Sequence, residues 1–310
     1  LHPCDDNGYS YHLPYGTSLR MGDLGYNSSA QKGLKICYNS LDNYIETLHR
    51  AINRPHPGYA HISSGADGDF QQLNDSLLQI ENEFYSPIRP KRVTRPGETP
   101  LNALHRDGIE YIEVRCVDVS PFSPVGLDAG EIRFLDTFLL ACLLADSPPC
   151  DDDEQAMLAA NLERVVNRGR EPGLMLQRGS GQVTLQDWAE ELLTEMAPVA
   201  DLLQQQCDEG GHRAALEDQR AKVRDPALTP SARILREMRE RDLPFFRLAM
   251  AYSERWAQHF QSRELSPQMR ARLEEETRRS ITAQTAIEAA DNISFEQYLA
   301  NFYAQYDTLR

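Results

Sequence analysis

The chain has 310 residues, of which 41% are hydrophobic and 25% charged. That is enough apolar material for a substantial core, in one large domain or two smaller ones, and is not the composition of a disordered chain. A formal net charge of -15 argues against duplex nucleic acid or an anionic membrane surface as the main partner, because both are bound by dispersed cations.

The longest apolar run, near Phe134 to Ala145, is too short and interrupted to span a bilayer, so the sequence predicts a soluble protein. Six cysteines, Cys4, Cys37, Cys116, Cys142, Cys150 and Cys207, show no C-x-x-C spacing and no dense framework. They read as reduced thiols of a cytoplasmic protein. Leu1 is neither a methionine nor the start of a signal-like apolar segment, which reads as a fragment of a longer chain.

Up to about Val125 the sequence is short-strand and loop material, rich in Gly, Pro, Asn and Tyr. Its one clear amphipathic helix runs from Leu41 to Asn53, with Leu41, Tyr44, Ile45, Leu48 and Ile52 as an apolar stripe expected to pack on a sheet. Gly65 to Gly68 reads as a turn between strands. In Ser76 to Tyr85, period-2 alternation predicts a strand with Gln79, Glu81, Glu83 and Tyr85 on one face. A second strand is predicted from Gly108 to Asp118, with Tyr111, Glu113, Arg115 and Val117 on one side and a dry face of Ile112, Val114 and Cys116 on the other. Ser120 to Pro124 reads as its extended exit.

From Asp128 onward the pattern is almost entirely helical. The first helix, through Ile132, Leu135, Phe138, Leu139, Cys142 and Leu143, is apolar enough to predict burial. The acids Asp151 to Glu154 suit a helix N-terminus, and Gly169 a helix stop. Thr184 to Asp187 opens a helix that Pro198 should kink or end. Thr229-Pro230 and Ser266-Pro267 place an N-cap before proline at the first helical position. Ser294 to Gln297 is a further cap, with Ile293 able to staple against Tyr298. The alternating charges of Arg233 to Arg241 and Arg270 to Arg279 read as solvated helix faces, and the spacing of Tyr298, Phe302 and Tyr306 as core.

Three segments carry possible chemistry. If the two predicted strands share a sheet, Glu81, Glu83 and Glu113 cluster near Arg115, and a hard divalent metal is the natural neutralising partner. Pro14 to Tyr26 is a loop of glycines, hydroxyls and Arg20, suited to recognising a carboxylate or phosphate. Arg89 to Arg95, including Lys91 and Arg92, is a compact basic segment suited to polyphosphate. Each has a plain alternative as a solvated strand face or surface turn.

Taken together, Tyr11 to Arg20, Asp23 to Tyr26, Leu78 to Arg92 and Gly108 to Arg115 resemble, in order and spacing, the proteobacterial type of glutamate-cysteine ligase. The resemblance is close over most of residues 8–146 and weaker in the C-terminal helices, where Ser231 to Leu235 is the best remaining piece. It implies an α+β fold. Residues 1–125 would form the C-terminal part of a glutamine-synthetase-like antiparallel catalytic sheet, and residues 126–310 a helical region packed on it.

The resemblance also implies a reaction. ATP, with Mg2+ or Mn2+, phosphorylates the γ-carboxylate of L-glutamate, and the amine of L-cysteine displaces phosphate, the first step of glutathione biosynthesis. Residue by residue it implies Glu113 as a metal ligand, Arg115 on the transferring phosphoryl group, Arg20 and Tyr26 on the cysteine carboxylate, and Tyr85 lining its side-chain pocket. Glu81, Glu83, Lys91 and Arg92 are second-rank candidates.

The family's upstream part, with further metal-binding carboxylates, a histidine ligand and most of the glutamate site, has no counterpart here. The expectation is therefore a chain inactive alone. Two competing expectations are a ligase of the same fold with another amine acceptor, and a non-catalytic binding or scaffold protein.

Overall fold

The computed structural model describes residues 1–3, 10–25, 30–62, 70–206 and 210–309. Its elements are β1 (His2–Pro3), β2 (Tyr11–His12), α1 (Leu41–Ile52), β3 (Ile88–Lys91), α2 (Pro100–Asp107), β4 (Tyr111–Val114), α3 (Ala129–Leu144), α4 (Asp152–Arg168), β5 (Met175–Arg178), β6 (Gly181–Thr184), α5 (Leu185–Gln206), α6 (His212–Arg224), α7 (Pro230–Glu240), α8 (Phe245–Gln261), α9 (Pro267–Ala290) and α10 (Phe295–Ala304). The class is α+β, with antiparallel pairs β1–β2, β3–β4 and β5–β6 among the described residues. The turn read at Gly65 to Gly68 lies outside them.

The expected division at residue 125 follows sequence character, whereas compactness follows other lines. One unit joins Leu1–Tyr26 to Val117–Ser262, and the other joins Asn27–Cys116 to Arg263–Arg310.

In the second unit α1 forms as its stripe requires, capped by Ser40, whose side chain accepts from the Asn43 amide. Tyr44, Ile45, Leu48 and Ile52 are buried with Leu101 and Leu104 of α2 and with Tyr306. The helix thus packs on α2 and the 305–309 turn, not on a sheet as expected. The reason lies in residues 76–85, which do not form the predicted strand. Their polar side chains take local partners that compete with a ladder: the Gln79 side chain accepts from the Leu73 amide at 2.7 Å and Glu83 from the Gln79 amide at 2.7 Å, and Glu81–Glu83 closes a 3-10 turn.

The Tyr298, Phe302, Tyr306 stripe grades from half exposed to fully buried, its last member in the core. All of α9 is exposed, as its charge pattern predicts. Its Arg278–Glu275 and Arg279–Glu276 pairs, both 2.7 Å, are solvated and add little stability.

In the first unit α3, α5 and α6 pack around Leu193, Met196, Ala200 and Leu216, with Phe134, Phe138 and Ala141 of α3 against them. This layer covers only one side of α3, so the predicted burial fails on the other side, where Ile132, Leu143 and Leu144 are exposed. Asp151 caps α4 and Gly169 ends it, as expected. Thr229, Ser266 and Ser294 each accept the expected cap bond in α7, α9 and α10.

Three further expectations are corrected. Of the two outcomes expected at Pro198, an end is ruled out: it lies inside α5, whose buried Leu193, Met196, Val199 and Ala200 carry the helix through the missing amide. The C-terminal region is not helical throughout: β5 and β6 form a hairpin whose turn uses Gly179 at φ 56°. Residues 120–124 are a turn, the Ser120 amide donating to the Gly126 carbonyl at 2.8 Å, not an extended exit. Among the described residues no helix is long and apolar enough to cross a membrane, and Cys37, Cys116 and Cys142 are free thiols; Cys4 and Cys207 lie outside them.

Candidate functional site

The charged strand is real but shorter than predicted. β4 pairs with β3 so that Arg89 stands opposite Glu113 and Lys91 opposite Tyr111. Directly paired residues share a face, so Arg89, Lys91 and Glu113 lie together. Arg115 follows just beyond the strand end, its amide donating to the Pro87 carbonyl at 2.8 Å. Lys91 Nζ lies 3.7 Å from Glu113 Oε2 and Arg115 Nε 3.9 Å from Glu113 Oε1. The Arg115 guanidinium sits over the Tyr85 ring, 5.0 Å from its centroid, a cation–π contact that holds it in place.

The burial of the two faces is the reverse of the expectation. The face read as dry leaves Ile112 50% exposed and Cys116 exposed, while Arg89 on the charged face is only 6% exposed. The charged face meets the 82–85 turn: Arg89 Nη2 donates to the Asn82 carbonyl at 2.9 Å. Burial first, and then the Arg115 charge, hold the Arg89 guanidinium below the usual arginine range. Among the described residues Arg89 Nε and Glu113 Oε2 are buried without a hydrogen-bond partner. Glu113 Oε2, ion-paired with Lys91 but without a hydrogen bond, fits one ligand position on a hard cation.

The remaining acids are committed elsewhere. Glu81, 6% exposed, accepts from the Leu101 amide at 3.0 Å and from the Tyr306 hydroxyl. Glu83 accepts from the Gln79 amide. The expected three-carboxylate cluster therefore does not form, and among the described residues no group of three or more His, Cys, Asp or Glu comes together. Arg92 Nε donates to the Gly108 carbonyl at 3.0 Å, closing the loop between the strands. The structure thus gathers Tyr85, Lys91, Glu113 and Arg115, and adds Arg89. Sequence reading groups Arg89 only with a basic segment; the cue was its place two residues before Lys91, on the same strand face.

In the first unit the Arg20 loop is built before any ligand arrives. Arg170 donates to the carbonyls of Pro14 at 2.7 Å and Gly16 at 3.0 Å. Thr17 Oγ1 donates to the Val165 carbonyl at the end of α4, at 2.7 Å. Asp118 accepts from the Leu19 amide at 3.0 Å, the Arg20 amide at 2.9 Å and the Ser18 hydroxyl. Gly25 lies so close to the Arg20 carbonyl that a Cβ there would come within 1.9 Å of its oxygen. Tyr26 lies outside the described residues.

What these elements define is an α+β protein in which the face of the β3–β4 pair sets Lys91 and Arg115 against the Glu113 carboxylate, with Arg89 opposite it in register. The profile of the glutamate-cysteine ligase family matches residues 4–165. The chain is 45% identical to glutamate-cysteine ligase of Pseudomonas fluorescens over 293 residues, covering 94% of this chain and 55% of that protein. It is 46% identical to that of Azotobacter vinelandii, covering 94% and 55%. A crystal structure of glutamate-cysteine ligase from Francisella tularensis in complex with AMP superposes with a TM-score of 0.86 at 35% identity, covering 96% of this chain and 58% of that one. The chain belongs to the glutamate-cysteine ligase family. It spans about half the length of the curated relatives it matches.

Proposed function

We propose that this chain is the C-terminal portion of an ATP-dependent ligase that joins the γ-carboxylate of L-glutamate to the amine of L-cysteine through a γ-glutamyl phosphate, in the cytoplasm. The observation that carries the reading is the β3–β4 face: Lys91 and Arg115 within 4 Å of the Glu113 carboxylate and Arg89 opposite it in register, on the segments whose order and spacing resemble the ligase family. Residues 1–125 then contribute the catalytic sheet portion and residues 126–310 its helical support. The AMP held by the Francisella relative supports a nucleotide as one substrate.

In this reading Arg115, steadied by the Tyr85 ring, holds the transferring phosphoryl group as negative charge develops on it. Lys91 and Arg89 strengthen the same field, in a setting where fixed cations act without reorganising. Arg20 and Tyr26 take the cysteine carboxylate, and Tyr85 lines the side-chain pocket. Glu113 supplies one ligand, through Oε2, to Mg2+ or Mn2+, which when bound neutralises phosphate charge. One carboxylate cannot hold such an ion alone, so the chain is expected to be inactive without the remainder of the protein as its relatives have it.

The test is cysteine-dependent phosphate release from ATP and glutamate, run on this chain and on a longer form that adds that remainder. Turnover in the longer form alone supports the reading in full. Turnover by the 310-residue chain overturns the claim of inactivity. A folded longer form that binds nucleotide but does not turn over with any amino acid favours a binding protein on the same fold.

A further inference from the structure

We infer that Asp118 is the positioning residue of the Arg20 loop: it fixes the backbone from which Arg20 reaches the acceptor carboxylate, and so sets acceptor affinity without touching the acceptor. The inference rests on the reading of Arg20 given above.

The loop presents three successive amides, of Leu19, Arg20 and Met21, and all three are satisfied by one small polar group of residues. Asp118 Oδ1 accepts from Leu19 at 3.0 Å and from Arg20 at 2.9 Å, Oδ2 accepts the Ser18 hydroxyl, and Ser18 Oγ in turn accepts the Met21 amide at 3.0 Å. Successive amides pointing into one concavity are a ready anion site. Here an internal carboxylate fills it, so the loop's own amides are not available to a ligand carboxylate and recognition falls to the Arg20 side chain. Hydrogen bonds from amides to a carboxylate are among the stronger ones, and two of these converge on a single oxygen.

The rest of the loop is held by other means. Arg170 grips its first part through the Pro14 and Gly16 carbonyls, and Thr17 ties it to the end of α4. Loss of Asp118 therefore frees residues 18–21 while residues 14–17 stay anchored. The inference thus predicts a local effect, distinct from general destabilisation. Asp118 also follows Arg115 by three residues and Glu113 by five. The strand that carries the phosphoryl-handling groups and the side chain that sets the acceptor loop thus lie on one short run of backbone.

The experiment uses Asp118→Ala, Asp118→Asn and Ser18→Ala in the longer, active form, with Arg20→Ala and the Arg20→Ala/Asp118→Ala pair. Asn keeps an acceptor for the Leu19 and Arg20 amides. The Ser18 hydroxyl, with two lone pairs, can accept from the Asn amide while still accepting from Met21. Asp118→Ala is expected to speed amide hydrogen exchange at Leu19, Arg20 and Met21 by about tenfold or more while exchange in α4 is unchanged. It should raise the cysteine KM about tenfold with kcat within about twofold. Asp118→Asn should restore most of both, and Ser18→Ala should show the same pattern more weakly. In the double variant KM should be no higher than in Arg20→Ala, since each change removes the same contact.

A kcat loss at unchanged KM, or KM effects that multiply in the double variant, overturns the inference alone. An unchanged cysteine KM in Arg20→Ala overturns the reading of Arg20, and the inference falls with it.

Discussion

The Tyr306 hydroxyl donates to the Glu81 carboxylate across 225 positions of sequence, and both groups are buried. The other Glu81 oxygen accepts the Leu101 amide at the start of α2, and the Tyr306 carbonyl meets His49 Nε2 of α1 at 3.0 Å. The 81–83 turn thus joins Tyr306 to α2, Tyr306 itself reaches α1, and the 81–83 turn also supplies the Asn82 carbonyl that anchors Arg89.

Tyr306→Phe keeps the ring in the core but leaves a buried carboxylate oxygen without its donor. It should cost about 1–3 kcal/mol, read as a lower urea midpoint at unchanged slope. Glu81→Gln, whose oxygen can still accept the Leu101 amide while its NH2 donates to the Tyr306 oxygen, should cost less than Glu81→Ala. Equal losses in the two would mean that the carboxylate itself, not the volume it fills, is what matters there.

Alkaline pH attacks the same region. Burial raises the Tyr303 hydroxyl from the usual 10.0 to about 12, partly offset by its bond with Asn74, and burial also raises Tyr44 and Tyr306. A tyrosine whose folded value is raised holds its proton more tightly folded than unfolded. Its stabilising contribution is complete below pH 10 and is lost as pH rises through the folded value. Stability should be flat approaching pH 10 and fall between about pH 10 and 12, and Tyr303→Phe should flatten the fall. A denaturation midpoint that keeps rising over that window would show the sign to be wrong.

Arg115 and Arg20 should separate kinetically in the longer form. Arg115→Ala removes a cation aimed at developing charge and should lower kcat about a hundredfold or more with little change in cysteine KM. Arg20→Ala should raise cysteine KM about tenfold or more and leave kcat nearly intact. Exchange of the two patterns would exchange the roles.

Arg89 is the residue the structure adds to this site. Arg89→Met preserves much of the buried volume but removes the cation opposite Glu113 in register and leaves the Asn82 carbonyl without its donor. Turnover should fall about tenfold or more, with Arg89→Lys intermediate because it keeps the charge but not the fork. Wild-type kcat in Arg89→Met would make Arg89 a purely structural cation.

Local signals were readable and tertiary ones were not. Thr229, Ser266 and Ser294 declare their helices because a cap is settled by a few neighbouring residues. Residues 76–85 alternate as a strand does, yet Gln79 and Glu83 find partners within their own segment, which no period reveals. The Tyr111 to Arg115 alternation located the charged face but not its burial, because that depends on the 82–85 turn against it. Glu81 shared with Glu113 the strand-face signal that placed both in one acidic cluster, and only the distant Tyr306 and Leu101 show that its carboxylate is committed elsewhere. Asp118 is a lone acid whose hydrogen-bond partners lie about a hundred residues upstream, so nothing near it in sequence marks its role.

Gly25 offers a test of the Arg20 loop that leaves every charged residue in place. Its amide donates to the Gly22 carbonyl at 2.9 Å, closing a turn that brings its Cα against the Arg20 carbonyl. An alanine Cβ would stand 1.9 Å from that oxygen and 2.8 Å from the Leu19 carbonyl oxygen. Both obstacles are backbone, so the turn must open, and the Arg20 backbone must shift with it. If Arg20 holds the acceptor carboxylate, Gly25→Ala should raise the cysteine KM about as much as Arg20→Ala, because a displacement of about 1 Å suffices to lose that contact. Because the cysteine contact is then already lost, adding Arg20→Ala to Gly25→Ala should change little. An unaltered KM in Gly25→Ala, with exchange at residues 18–21 accelerated, would show that the loop moves without consequence for the acceptor, and the carboxylate would have to be held elsewhere.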